Sequence, residues 1–356
     1  MQSIDTRARP VTYRDNFDIL RLLVAVLVMV RHCMTRLEIS KPDWWWFVDV
    51  FPGVPIFFVI SGYLVAASWE RSRDLRSYAL SRGRRIFPGL WACVLATVAV
   101  AAWFGFDFLH GAGFIWLATQ LVGLIYTPGF LDEFGSGSYN GALWTIPVSL
   151  QFYVMLPLIY LLLARRNETN RRFLVLWLVA AVLALVFRPM LQTGAGEVET
   201  LQMKLLRYSI VPHLYLFLLG LLLHRYRVRE WSVIRGKALY WLVGYLAAMY
   251  LLPASDLKDV MQPVALAFVA MSLAYTAPGI TRGALRGHDV SYGLFIYHGL
   301  VINVFVELGL QGSPAYAWGV AAITLVIAWL SWRFIESPFL ARRRANVPAM
   351  PVAGRP

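Results

Sequence analysis

Apolar residues fall in long unbroken runs separated by short polar segments, and the first run sets the problem. Residues 17–33, FDILRLLVAVLVMVRHC, have the length and oiliness of a membrane-spanning helix, which needs about 20 residues, yet they carry Asp18, Arg21 and His32. Further apolar runs follow at about 53–67, 86–103, 143–164, 173–188, 205–224, 238–252, 260–276, 291–310 and 315–334. The run at 114–126 is short for a crossing, and the segment after it, TPGFLDEFGSGSYNGA, is polar and glycine-rich. Trp44, Trp45 and Trp46 follow the first run, as in an interfacial aromatic belt. Ser61-Gly62 gives the second run a small-residue notch for close helix packing.

The predicted fold class is therefore all-α: a polytopic integral membrane helical bundle of about ten transmembrane helices. Composition agrees. Of 356 residues 59% are hydrophobic and only 15% charged, whereas about a quarter are charged in soluble domains. Cys33 and Cys93 both lie in apolar runs, so there is no disulfide framework and no CxxC pattern. No histidine has the spacing of a zinc site, and no metal is implied.

The net charge of +13 raises the question of nucleic acid, and the placement of the charges answers it. If 114–126 does not cross, the N-terminus, 71–85, 165–172, 225–237, 277–289 and the tail after Glu336 share one side and hold nearly all the loop Lys and Arg. If it does cross, RRNETNRR and every later basic loop flip. The positive-inside rule selects the first arrangement, with both termini cytoplasmic and 104–142 an outer-face or re-entrant element. The charge is then topology rather than a nucleic-acid footprint. The organisation expected is a cytoplasmic segment over 1–16, a membrane domain over 17–340 and a cytoplasmic tail over 341–356. No small-residue cleavage site follows the first run, so it is an uncleaved span, and the Asn167 sequon falls in a cytoplasmic loop. No internal or inverted repeat is visible, which disfavours common transporter architectures.

Arg21 and His32 are eleven residues apart. At about 100° per residue both face one way, and at about 1.5 Å per residue they lie roughly 16 Å apart along the axis. A cation and an imidazole on one stripe must line a polar cavity or pair with other helices. His32 is suited to general-base work or proton shuttling, the alternative being a packing histidine. His298, with Ser291 and Tyr292, places polar groups along the ninth run, where helix-packing hydrogen bonds also account for them. Arg82, Arg84 and Arg85 stand at the cytoplasmic mouth of the third run. Arginine forks there suit phosphate oxygens, and plain anchoring of the span explains them equally.

Several motifs occur in a family order. Arg21-x10-His32, GVPIFFVISGYLV, Arg82-x-x-Arg85-Ile86-x-Pro88, LWTIPVSLQFYVMLPL (143–158), SYGLFIYH (291–298) and WRFIESPFL (332–340) together resemble the type 3 membrane acyltransferase family, over about residues 15–340. The resemblance implies transfer of an acyl group, most simply acetyl, from acyl-CoA to a hydroxyl of a glycan or related extracytoplasmic acceptor by a multi-pass protein of the bacterial cytoplasmic membrane. It implies His32 as the catalytic histidine, Arg21 as its supporting residue, and Arg82 and Arg85 as donor-binding residues; Arg84 beside them is a further candidate for the donor's phosphates, and Asp18, one turn before Arg21, a further supporting position. Trp144, Ser149, Tyr292 and His298 are the acceptor or supporting positions. Acyl-CoA enters as a co-substrate, with no permanently bound cofactor, and the other partners expected are the glycan or lipid-linked glycan acceptor and membrane lipids. A homodimer is compatible with the sequence, although no heptad or GxxxG pattern argues for one.

One position departs from the family pattern. Ser149 stands where the mid-chain signature usually has a glutamate, so either Ser149 or a nearby acid such as Asp132 or Glu133 substitutes, or the enzyme is slower or differently selective, or the chain only binds. A transporter or flippase of an amphipathic substrate is the reading from a different class.

Overall fold

The computed structural model describes residues 15–137, 140–163, 170–191, 200–277, 285 and 288–340. The N-terminal segment before residue 15, the Asn167 sequon, most of 277–289 and the 341–356 tail lie outside the described residues. In chain order the principal helices are α1 (Phe17–Arg36), α2 (Gly53–Ser72), α3 (Leu75–Trp103), α4 (Gly111–Leu121), α5 (Thr145–Leu163), α6 (Arg171–Leu191), α7 (Leu214–Arg225), α8 (Ala238–Leu251), α9 (Asp256–Ala274), α10 (Ser291–Glu307) and α11 (Pro314–Ser331), and no strand occurs among the described residues. Every apolar run taken as a span is helical. Among the described residues seven helical stretches are long and apolar enough to cross a membrane, and α8 and α10 are apolar but shorter. The chain is an all-helical multi-pass membrane bundle.

The boundaries depart from the sequence reading in two places, each for a local reason. The third helix begins at Leu75 rather than near Ile86 because Asp74 caps it, its carboxylate accepting the Ser77 N–H at 2.7 Å. The basic stretch is thus the first turns of a helix about 44 Å long, and its arginines are held on a rigid rod. The run at 205–224 is not one regular helix: a short helix (Leu201–Arg207) and a 3₁₀ turn (Val211–His213) precede α7, since Pro212 supplies no N–H. The 114–126 run becomes α4, eleven residues or about 16 Å long. It packs through buried Trp116, and Trp91 Nε1 donates to its Leu121 carbonyl at 2.8 Å.

α10 is the innermost helix, with nearly every residue from Ser291 to Asn303 buried. α1 lies directly against it and also meets α2, α9 and α11. A second seam joins α2 to α7 backbone to backbone. A Cβ on Gly62 would lie 2.1 Å from the Phe217 carbonyl oxygen, and one on Gly220 would lie 2.0 Å from that of Val59. The small-residue notch therefore faces α7. Phe217 stacks on Phe152 of α5 with ring centroids 4.2 Å apart, and the Glu70 carboxylate accepts from Tyr160 (2.8 Å), His224 (3.0 Å) and Arg225 (3.2 Å), tying α2, α5 and α7 at one end.

This seam generates a prediction. Gly220→Leu must push α2 and α7 apart and should cost about 3 kcal/mol or more, at the upper end of overpacking. Thermal unfolding in detergent, followed by monodispersity on gel filtration, should show a clear loss, whereas Gly244→Leu, whose Cβ meets nothing within 4 Å, should be tolerated.

Candidate active site

The stripe on α1 is satisfied by α10 at two depths. Near one end, Asp289, just ahead of α10, takes Arg21 at 2.8 Å and Arg85 of α3 at 2.5 Å on the same carboxylate oxygen, Oδ2. Its other oxygen accepts the Ser291 N–H at 3.2 Å and the Ser291 hydroxyl at 2.5 Å, an Asx-type turn leading into α10. Three turns farther along α1, His32 Nδ1 is 2.9 Å from His298 Nε2, and His298 Nδ1 is 3.1 Å from the Leu294 carbonyl oxygen. His298 is fully buried. Toward the opposite end, the Arg36 guanidinium donates to the Ser136 carbonyl at 3.1 Å, while the Ser136 N–H and hydroxyl donate to Asn303 Oδ1 and the Gly135 N–H donates to Glu307 at 2.6 Å. The loop before α5 is pinned there against α10, one turn beyond the histidines.

A cavity of about 650 Å³ opens among α2, α3, α5 and α10 at the arginine-bearing end. Arg71, Arg82, Arg84, Ser68 and Ser81 line its outer part; Phe57, Thr145, Ser149 and Phe295 line it deeper in. Arg82 donates to Ser81 Oγ at 3.2 Å and Ser68 Oγ at 3.4 Å and lies over the Tyr153 ring at 5.8 Å, and its buried Nε has no hydrogen-bond partner among the described residues. No carboxylate pairs with Arg71, Arg82 or Arg84 among the described residues. The deep part of the cavity ends against Phe57 and Phe295, whose rings stack at 5.7 Å and 2°, and the Phe295 ring lies 6.0 Å from that of His298. Arg21 and Arg85 line the cavity too, and an arginine-lined cavity with a pair of imidazoles beyond an aromatic stack suits a long ligand carrying phosphates at one end and a reactive group at the other.

Comparison with known proteins decides the family. The model described as "Acyltransferase domain", of the type 3 acyltransferases, matches residues 14–333. The chain belongs to this acyltransferase family. Similar relatives include "Nodulation protein 10" of Rhizobium leguminosarum bv. viciae, 30% identical over 94% of this chain and 95% of that protein. They also include the "O-acetyl transferase" of Shigella phage Sf6, 26% identical over 92% of this chain and 96% of that one, and "Peptidoglycan O-acetyltransferase OatA" of Listeria monocytogenes, 22% identical over 92% of this chain but only 56% of that longer protein. No solved structure matches the chain significantly.

In this acyltransferase the sequence-predicted residues divide into groups. Arg21 and Asp18 lie together (3.7 Å), and Arg21, like Arg85, is committed to Asp289. Arg85 differs from Arg82 and Arg84 in having this carboxylate partner, while all three, with Arg21, line the same cavity. Tyr292 lines the cavity, stands beneath the Arg85 guanidinium at 5.9 Å, and donates its hydroxyl to the Ile86 carbonyl at 2.8 Å. Ser149 lines the cavity too, but its hydroxyl donates to the Thr145 carbonyl at 2.7 Å, one turn back on its own helix; the group bonded to His32 is His298. Trp144 packs in an aromatic cluster with His213 (5.3 Å) and Tyr208 (6.0 Å). Asp132 and Glu133 are solvent-exposed. The WRFIE stretch forms a π-helical turn (Trp332–Glu336) in which buried Glu336 accepts from the Ser331 hydroxyl at 2.9 Å.

Sequence reasoning missed Asp289 and Arg71. Asp289 had a legible signal, an Asp-x-Ser turn pattern immediately before an apolar run. Arg71 had none, because its place on the cavity wall depends on how α2 and α3 fold together.

The Asp289 hub makes a prediction. Asp289→Leu strands two half-buried guanidinium groups and should destabilise the protein by about 2–3 kcal/mol, below the cost of breaking a fully buried pair, whereas removing the whole group with Arg21→Met/Arg85→Met/Asp289→Leu should recover much of that loss. Thermal melts of wild type, single and triple variants in one detergent check the order.

Proposed function

We propose that the chain transfers an acyl group, most simply acetyl, from acyl-CoA at the cytoplasmic face of a bacterial cytoplasmic membrane to a hydroxyl of a glycan or related acceptor at the outer face. One observation carries this reading: a cavity lined by Arg71, Arg82 and Arg84, which have no carboxylate partner among the described residues, leads toward the His32–His298 pair. The relatives named as O-acetyltransferases support acetyl as the group and a hydroxyl as its destination. The positive-inside bias supports the arginine-bearing end as cytoplasmic.

In this reading the donor's phosphates engage Arg71, Arg82 and Arg84, and the pantetheine arm runs along the shaft past Ser149. Rotation of Phe57 and Phe295 out of their stack lets the thioester reach His32. The acceptor hydroxyl gives its proton to His32, its oxygen bonds to the acyl carbon, the carbon–sulfur bond breaks, and the leaving thiolate takes that proton from the imidazole. A brief acyl-imidazole on His32 balances equally well. Asp289 holds Arg21 and Arg85, which also line the cavity, and so sets the spacing of α1, α3 and α10. Ser149 leaves the middle of the shaft neutral where a glutamate would place a charge beside the donor. The loop pinned by Arg36, Asn303 and Glu307 sits on the acceptor's side of the histidines.

The test uses the purified chain in nanodiscs with radiolabelled acetyl-CoA, following CoA release and acetyl transfer to a polysaccharide or to water. His32→Ala should abolish turnover while acetyl-CoA still binds. Arg82→Ala and Arg84→Ala should each raise KM for acetyl-CoA about tenfold, the value of one lost charge-assisted hydrogen bond, with kcat little changed. Movement of an amphipathic substrate without CoA, and no acetyl-CoA binding in wild type, would instead support a transporter. Binding with no turnover under any acceptor, unchanged by Ser149→Glu, would support a non-catalytic member.

A further inference from the structure

We propose that His298 is a positioning residue that fixes the tautomer of His32, so that Nε2 of His32 is the atom that receives the acceptor's proton. The inference rests on the acyltransferase reading with His32 as its base, and it follows from a chain of three groups in which only one proton arrangement works.

The chain begins at a carbonyl. The Leu294 oxygen can only accept, so the His298 nitrogen 3.1 Å from it, Nδ1, must carry a proton. A neutral imidazole holds one N–H, which leaves His298 Nε2 with a lone pair. That lone pair is 2.9 Å from His32 Nδ1, which must then be the donor. His32 Nε2 is left with the free lone pair, on the edge of the ring away from His298. The opposite tautomer of His32 would set two lone pairs against each other at 2.9 Å inside a bundle where His298 has no access to water.

The backbone holds the first link. Leu294 and His298 are one turn apart on α10, whose residues are buried on every side, and the Phe295 ring lies against His298. The Asp289 hub sets the register of α1 against α10 at one end, and the Leu37 carbonyl accepts the Gly312 N–H at 2.8 Å at the other. His298 thus takes the orienting role that a carboxylate plays in a Ser-His-Asp triad, but as a neutral ring. When His32 takes the acceptor's proton on Nε2 it keeps Nδ1–H on His298, and the proton leaves from Nε2 to the departing thiolate. No net proton crosses to His298, so the pair needs no further acid or base.

The discriminating variants differ in which ring nitrogen they mimic. A glutamine amide reaches about as far as Nε2 of histidine and offers an acceptor to His32 Nδ1; an asparagine reaches only as far as Nδ1; phenylalanine keeps the ring shape and removes both groups. We expect His298→Gln to retain kcat within about tenfold, and His298→Asn and His298→Phe to lose about a hundredfold or more, with KM for acetyl-CoA within about twofold throughout, as for removal of a general-base contribution. In parallel, ¹⁵N NMR of histidine-labelled protein in nanodiscs should show His32 with a protonated Nδ1 and an unprotonated Nε2 in wild type, and a mixture of tautomers in His298→Phe. Equal kcat for the glutamine and asparagine variants, wild-type kcat in His298→Phe, or a wild-type His32 protonated on Nε2 would each overturn the proposal. The wild-type spectrum needs neither turnover nor a folded variant, so it decides the tautomer even if no acyl transfer is found, an outcome that would count against the acyltransferase reading instead.

Discussion

Inside an apolar bundle a polar side chain must find a partner or remain costly, and along the contact between α1 and α10 that requirement is met at two depths. α1 brings a cation and an imidazole; Asp289, just ahead of α10, brings a carboxylate and α10 a second imidazole. Because Arg21 meets Asp289 and His32 meets His298, the two helices are tied in one register. A slip of one residue would turn both pairs away from each other. Arg85 adds α3 to the same carboxylate, so the wall of the cavity is set by the interaction that sets the histidines. Such a buried ionic hub is weak evidence for net stability but fits a role in specifying one arrangement.

Much of the architecture was legible from hydropathy alone, because a membrane span announces itself by length and composition without any need to know its neighbours. The stripe holding Arg21 and His32 was legible for the same reason: it is a property of one helix. What escaped were properties of pairs of helices. Arg82, Arg84 and Arg85 look alike in sequence and line one cavity, yet only Arg85 of the three is paired with a carboxylate among the described residues, that of Asp289 about two hundred residues away. Ser149 drew attention as a departure from a family pattern, and its hydroxyl bonds to its own helix. Helix boundaries shifted where short-range chemistry overrode hydropathy, at the Asp74 cap and at Pro212.

The arginines therefore divide by partner rather than by position. Arg21 and Arg85 are neutralised in part by Asp289 and serve the framework. Arg71, Arg82 and Arg84 border the cavity with no acid beside them among the described residues, which is the condition for attracting an anionic ligand. Ser149 bonds to its own helix, and the group bonded to His32 is His298, the contact on which the proposed orienting role of His298 rests.

The central claim is that the arginine-lined cavity delivers acyl-CoA to His32. A single-particle structure of the protein in nanodiscs with a stable acetyl-CoA analogue, its thioester sulfur replaced by a methylene, tests this most directly. The account predicts phosphate density against Arg71, Arg82 and Arg84, the stacked rings of Phe57 and Phe295 parted, and the acyl carbon beside Nε2 of His32. An analogue bound elsewhere, or one seated in the cavity with its acyl carbon held away from His32 at saturating concentration, would contradict it.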